Sequence, residues 1–280
     1  MSGAATWARP GGMRAAAGSL GARVLEFVPA AVVLAGGLVL WEFLIVTLNV
    51  KQFILPRPSA IAAALVDHWS DPKFPLAASA AQTIREALGG LVIGTVAGLV
   101  VAFVSARWAT ARGLVLPLAV AANAIPIIAL APLVNAWFGL LSPLSKMIMA
   151  AILVFFPVMA NVTRGLTQVE PSAVELMRSY AASDWTILRK VRIPNALPFF
   201  FTALKIATTL SLIGAIVGEY FGGQTQVLGH LIIQTTSSLR YDITWAAILL
   251  GALAGIAFYL ATVLVERLVI PWSTAVRNEG

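Results

Sequence analysis

Cysteine is absent from the 280 residues, and histidine occurs only as His68 and His230. Such a chain can build neither a disulfide framework nor a zinc–thiolate site. Neither histidine has a partner at metal-ligand spacing, and both read as polar residues of loops. Charge is scarce too: 11% of residues are Asp, Glu, Lys or Arg, against roughly 25% in a soluble domain. With 59% hydrophobic residues and a mean hydropathy of +0.89, disorder is excluded and a solvated globule is short of polar surface. No Gly-Lys pair occurs, so there is no phosphate-binding P-loop. G-x-S-x-G and H-E-x-x-H patterns are missing as well. The sequence therefore predicts no catalytic residue, no metal and no cofactor. Any ATP that the protein uses must be bound by another chain.

What is present is long apolar runs. A membrane span needs about 20 apolar residues, and six stretches approach or exceed that: 24–48, 87–106, 113–138, 147–162, 197–221 and 245–265. The fourth is short and borrows Leu144, Ser145, Lys146 and Thr163 from its flanks. Trp108, Trp137, Trp245 and Trp272 stand at or beyond run ends, where interfacial tryptophans belong. The expectation is an all-α polytopic membrane protein of about six transmembrane helices.

The net charge of +7 then acquires a direction. With the N-terminus cytoplasmic, inner segments collect twelve basic residues and outer segments six, with Lys205 inside a run. That bias places both termini in the cytoplasm, and the basic excess is a topology signal rather than a nucleic-acid patch. Residues 1–23 read as a Gly-, Ala- and Arg-rich cytoplasmic tail, and 24–280 as a single transmembrane domain. The first run is too long for a signal-peptide core. In the outer segment after it, the spacing predicts a short helix over 59–69 with Ser59 as N-cap.

The longest polar interior stretch is 163–196. Pro171 suits a first helical turn, and Ala173, Leu176, Met177 and Tyr180 recur at helical spacing. Ser183 can cap a second short helix carrying Trp185, Leu188 and Val191, which Pro194 then stops. Two amphipathic helices thus meet at 181–183, with Arg178, Arg189, Lys190 and Arg192 off their apolar sides. Such a hairpin either lies on the membrane surface or docks into a groove on a cytoplasmic partner.

This stretch resembles the "EAA" loop, E-A-A-x(3)-G-x(9)-I-x-L-P, of the permease subunits of bacterial binding-protein-dependent ABC importers. Glu175-Leu176-Met177, Ala181 and Val191-Arg192-Ile193-Pro194 keep its spacing throughout. Ala181 stands where the family has glycine. Alanine disfavours positive φ, so a shallower bend is expected. Phe53-Ile54-Leu55-Pro56-Arg57-Pro58-Ser59 resembles the F-x-L-P-x-P-S of nitrate/sulfonate/taurine-type permeases. Val217-Gly218-Glu219-Tyr220-Phe221-Gly222-Gly223 resembles members that import riboflavin or pyrimidine precursors of thiamine.

The resemblance implies the type I importer permease fold in the bacterial cytoplasmic (inner) membrane. It implies an ATP-binding ABC subunit, an extracytoplasmic solute-binding protein, a second permease copy and surrounding lipid as partners. Glu175, Ala181, Ser183, Asp184 and Trp185 would lie at the ATPase contact, with Val191, Ile193 and Pro194 completing the loop. Each could equally serve the loop's own fold. The solute expected first is a pyrimidine or other heterocyclic vitamin precursor, followed by an alkanesulfonate, taurine or nitrate.

Charges inside spans invite a functional reading, because hydrocarbon penalises them. Lys205 is expected to snorkel to the inner interface, and Glu42 to reach the outer interface or pair with another span. Glu219, beside Tyr220, either meets arriving solute or makes a structural hydrogen bond. Pro117, Pro126 and Pro132 interrupt the third run near Asn123 and Asn135. That run is either pore-lining or a kinked packing helix. Gly90, Gly94 and Gly98, and Gly251 and Gly255, are expected at helix contacts. An ion-coupled secondary transporter would need inverted repeats or midplane ion groups, and a membrane enzyme clustered catalytic groups; the sequence offers none of these.

Overall fold

The computed structural model describes residues 20–108, 113, 117, 125–222 and 225–271, with side chains from residue 28 onward. Every regular element among them is helical. The chain divides into two compact units, one through Val50 and one from Lys51. The first is built on α1 (Leu20–Thr47). That helix ends where the Thr47 hydroxyl turns back to the Phe43 carbonyl at 2.8 Å and Asn49 takes φ +51°.

The second unit holds α2 (Pro58–Asp67), α3 (Leu76–Arg107), α4 (Ile127–Phe138), α5 (Pro143–Thr167), α6 (Pro171–Ser179), α7 (Asp184–Ile187), α8 (Ile193–Tyr220), α9 (Leu228–Ser237) and α10 (Tyr241–Val269). Helix α2 starts at Pro58 with Arg57 in the cap position, so Ser59 is not its N-cap. Proline's fixed φ favours the first helical position and moves the boundary one residue upstream. Helix α5 extends into the polar flanks of its run, capped by Ser142, whose Oγ accepts from the Leu144 amide at 3.2 Å. His230 lies within α9 rather than in a loop.

Among the described residues, five helical stretches are long and apolar enough to cross a membrane: α1, α3, α5, the Asp184–Tyr220 stretch containing α8, and α10. They coincide with five of the six expected runs. The remaining run, 113–138, is described at 113, 117 and 125–138, and holds the 12-residue α4, which carries Pro132 inside it.

Helix α5 is the centre of the second unit. Val154, Val158, Val162 and Leu166 meet Ala102 of α3 and Ala196, Ala203 and Ala207 of α8 in one buried cluster. Glycine lets backbones approach on both sides. A Cβ at Gly90 would stand 2.6 Å from the Met147 carbonyl, and one at Gly94 2.6 Å from that of Ala151. Opposite, a Cβ at Gly214 would be 2.5 Å from Ala150 Cα. The order of these contacts runs α3 parallel to α5, with α8 returning antiparallel. Gly251 and Gly255 differ. Their nearest neighbours are the side-chain tips of Ile216 and Leu212 at 3.5 and 3.6 Å, ordinary packing rather than backbone contact. The other face of α10 exposes Leu253, Ile256, Leu260, Leu264 and Leu268, a solvent cost in water that hydrocarbon removes.

Candidate functional site

At one end of the bundle, the stretch between α5 and α8 folds into a projecting elbow. Pro171 occupies the first turn of α6, where a missing N–H costs nothing. The bend that follows is sharp: Ala181 adopts φ +53°, correcting the expectation that alanine would flatten it. The Ala182 amide reaches the Met177 carbonyl at 3.1 Å and the Ala181 amide that of Arg178 at 2.9 Å. These are the two bonds of a Schellman cap, and they compensate alanine's discomfort in the left-handed region. Ser183 caps α7, its Oγ accepting from the Thr186 amide at 3.3 Å.

Pro194 does not stop the second helix. A π-helical turn, Leu188–Arg192, carries the chain from α7 into α8, whose first turn contains Pro194. Proline offers no N–H to the carbonyl four residues earlier, and the backbone widens just before it. Asn195, which sequence reasoning passed over, clamps the base of the elbow. Its amide donates to the Gly165 carbonyl at 2.7 Å and to Gln168 at 3.2 Å. A Cβ on Gly165 would stand 2.8 Å from Ala196 Cα, so the two strands of the elbow touch. The only signal in the sequence was an asparagine beside Pro194 at a chain reversal.

The elbow has a buried root and an apolar tip. Ile187 is buried, and Leu188 and Ile193 pack on the α3–α5–α8 core. Leu176, Tyr180 and Trp185 are 57, 77 and 68% exposed, with Glu175, Ser183 and Asp184 exposed around them and Val191 and Pro194 half-buried. A concave surface lined by Phe103, Arg107, Val174, Arg178, Trp185 and Arg192 runs from the end of α3 to the elbow.

The opposite end of the bundle is polar inside. Glu219, in the last turn of α8, accepts the Gly229 amide at 2.6 Å, and the Thr83 hydroxyl of α3 accepts the Leu228 amide at 3.0 Å. Side chains from two long helices thus cap the positive start of α9. The structural hydrogen bond left open for Glu219 is present. Lys146 is buried, and its ammonium donates to the Leu140 carbonyl, to Ser145 Oγ at 3.0 Å and to Asn135 Oδ1 at 3.2 Å. A Cβ on Gly218, beside Glu219, would stand 3.4 Å from Lys146 Cα, so Asn135 and Glu219 lie around one lysine. Tyr220 and Pro126 are exposed beyond it, and Asn123 lies outside the described residues.

Two buried charges at this end carry little signal in sequence: Lys146, read only as a flank of the fourth run, and Glu86 of α3, which sequence reasoning did not single out. Glu86 precedes Gly90, Gly94 and Gly98 by four-residue steps, which is the legible sign that it shares their α5-facing side. Lys205 does not snorkel. It pairs with Glu266 of α10 at 2.7 Å, and both groups are shielded from solvent.

Away from the helix bundle interior, His68 closes α2, binds the Asp71 carboxylate and receives an Arg240 N–H at 3.3 Å. The Lys73 amide and His68 together hold the Asp71 carboxyl below its ordinary pKa.

Known proteins identify what this arrangement belongs to. Residues 90–272 match the family described as binding-protein-dependent transport system inner membrane component. A riboflavin transport system permease of Chloroflexus aurantiacus is 29% identical over 85% of this chain and 87% of its own length. A formylaminopyrimidine transport permease of Halalkalibacterium halodurans is 30% identical over 84% and 92%. A putative aliphatic sulfonates transport permease of Escherichia coli is 31% identical over 54% and 57%. With its apolar spans, the chain belongs to the inner-membrane permease components of binding-protein-dependent ABC importers, of the sulfonate/taurine-type subfamily.

Proposed function

We propose that the chain is the solute-conducting subunit of a type I importer, with six spans and both termini cytoplasmic, and that the elbow is its lever. The observation that carries this is the elbow's construction: an exposed Leu176–Tyr180–Trp185 tip on a base clamped by Asn195. An apolar tip on a rigid root suits insertion into a groove on another protein and transmits a push rather than absorbing it. Glu175, Ala181, Ser183 and Asp184 shape and surround that tip, and Val191, Ile193 and Pro194 pass its motion to α8. ATP binding and hydrolysis reside on the partner chain.

The working assembly is two permease copies, two ATP-binding subunits and an extracytoplasmic solute-binding protein, in the bacterial cytoplasmic membrane. Lipid covers the exposed apolar faces. Asn123, Pro126, Asn135, Glu219 and Tyr220 belong to the route or its wall at the outer end. A heterocyclic vitamin precursor is the proposed solute, supported by long matches to riboflavin and formylaminopyrimidine permeases. The shorter match to a sulfonate permease supports an alkanesulfonate as the second reading.

The test is reconstitution. The chain alone in proteoliposomes is expected to show neither ATPase activity nor uptake. Adding the cognate ATPase and the binding protein encoded beside it restores both. Uptake by the chain alone, driven by an ion gradient, overturns the reading. The ligand eluted from the binding protein decides between heterocycle and sulfonate.

A further inference from the structure

Three ionisable side chains shut off from solvent face one another at the polar end of the bundle. Glu86 of α3, Lys146 of α5 and Glu219 of α8 are each at most 2% exposed. The three N–H groups of Lys146 already have oxygen partners in Asn135, Leu140 and Ser145, none of them a carboxylate. The carboxyl groups are less well served. Glu86 receives the Gln82 amide at 3.0 Å on Oε1, and its Oε2 has no partner. Glu219 receives the Gly229 amide on Oε2, and its Oε1 has no partner. The carboxyls meet at one level of the bundle: Glu219 holds the Gly229 amide next to the Leu228 amide that Thr83, one turn before Glu86 on α3, accepts, and a Cβ on the adjacent Gly218 would stand 3.4 Å from Lys146 Cα. Glu219 interacts there with both the Thr83 hydroxyl and the Glu86 carboxyl.

Ionised carboxylates carry only lone pairs, so two facing each other repel and leave both free oxygens unsatisfied. One hydrogen between them removes both defects. The charge count agrees. Two carboxylates and one ammonium leave a net charge of −1 in a buried site, and one proton neutralises it. Tyr220, the other titratable group interacting with Glu219, adds no charge while its phenol is protonated. A bridging water would supply hydrogens but leave the charge. A metal ion is poorly provided for: no group of three His, Asp or Glu suited to one occurs among the described residues. Packing is close as well, since even a Cβ on Gly229 would lie 2.6 Å from Glu219 Cβ.

We propose that Glu86 and Glu219 form a proton-binding site, an acid–carboxylate pair sharing one hydrogen, with Lys146 balancing the remaining charge. The shared hydrogen joins α3 to α8 and, through the Gly229 amide, fixes the start of α9 on both. This assignment stands on the side-chain geometry and holds whichever solute the protein carries.

Infrared spectroscopy of the chain with its ATPase partner in lipid nanodiscs at pH 7 tests it. Glutamate labelled with carbon-13 at the side-chain carboxyl gives the assignment. One labelled C=O band of a protonated acid is expected. Glu86→Gln or Glu219→Gln abolishes it, and Glu175→Gln at the exposed elbow leaves it unchanged. Absence of the band in the unmodified chain overturns the proposal, as does its survival in both single variants. A missing band together with an unfolding temperature that climbs with sodium or potassium concentration assigns the charge to a bound cation instead, and equally overturns it. Should a variant fail to insert, the labelled wild-type spectrum in H2O against D2O decides alone.

Discussion

Ala181 shows how far one residue's preference can be overruled. The left-handed region costs a non-glycine residue about 1–2 kcal/mol, and the residue preference alone pointed to a shallow bend. Two cap hydrogen bonds and the apolar root of the elbow outweigh that cost, so the backbone keeps φ +53°. Ala181→Gly is therefore expected to stabilise the elbow by about 1 kcal/mol, and Ala181→Val to destabilise it. The midpoint of thermal dissociation of the permease–ATPase complex measures both. A fall for the glycine variant contradicts the strain argument. Ser183 as cap and Pro171 as first-turn residue were legible because their signals act within three residues. The pairing of Lys205 with Glu266 was not, since no local pattern links residues 61 positions apart.

At the scale of elements, two glycine patterns with the same spacing behave differently. Gly90, Gly94 and Gly98 face backbone and small side chains of α5, so nothing there can yield. Gly251 and Gly255 face the flexible tips of Ile216 and Leu212 on α8. A four-residue glycine step is readable in sequence, but what stands opposite it is not, and that decides the cost. Gly94→Leu is expected to force α3 off α5 and destabilise the bundle by more than the usual 1–3 kcal/mol of overpacking, because its Cβ meets a carbonyl at 2.6 Å. Gly251→Leu is expected to change stability by under about 1 kcal/mol, since its neighbours can rotate away. Detergent-solubilised yield and thermal midpoint of the two variants make the comparison. Equal losses would remove the distinction. The same physics explains Pro194: the helix-stop rule applies to an isolated helix, whereas here a π turn and the packing of Ile193 on the core carry the chain through.

The whole molecule is organised by where its few charges stand. Arg164, Arg178, Arg189, Lys190 and Arg192 gather at the elbow end, whereas His68, Asp71, Arg240 and Asp242 bond to one another at the far side of α10's long apolar stretch. Five spans were legible because twenty apolar residues can satisfy their backbone only as a helix in hydrocarbon. The sidedness rests on the basic bias alone. The missing cysteine makes it directly measurable, since a single introduced thiol has no background. Asp71→Cys and Ser238→Cys, both outside the bundle's interior, report the His68 end; Ser172→Cys, exposed on α6, reports the elbow. In intact cells a membrane-impermeant maleimide is expected to label the first two and spare Ser172→Cys. Opening the membrane with detergent then exposes that third thiol, more strongly when the ATPase is not co-expressed. Labelling of Ser172→Cys in intact cells places the elbow outside, where no ATP-driven partner can reach it. Protection of all three thiols until lysis instead means that the Asp71 and Ser238 surfaces are also covered or inward-facing, and the basic bias then fails as a guide to this chain.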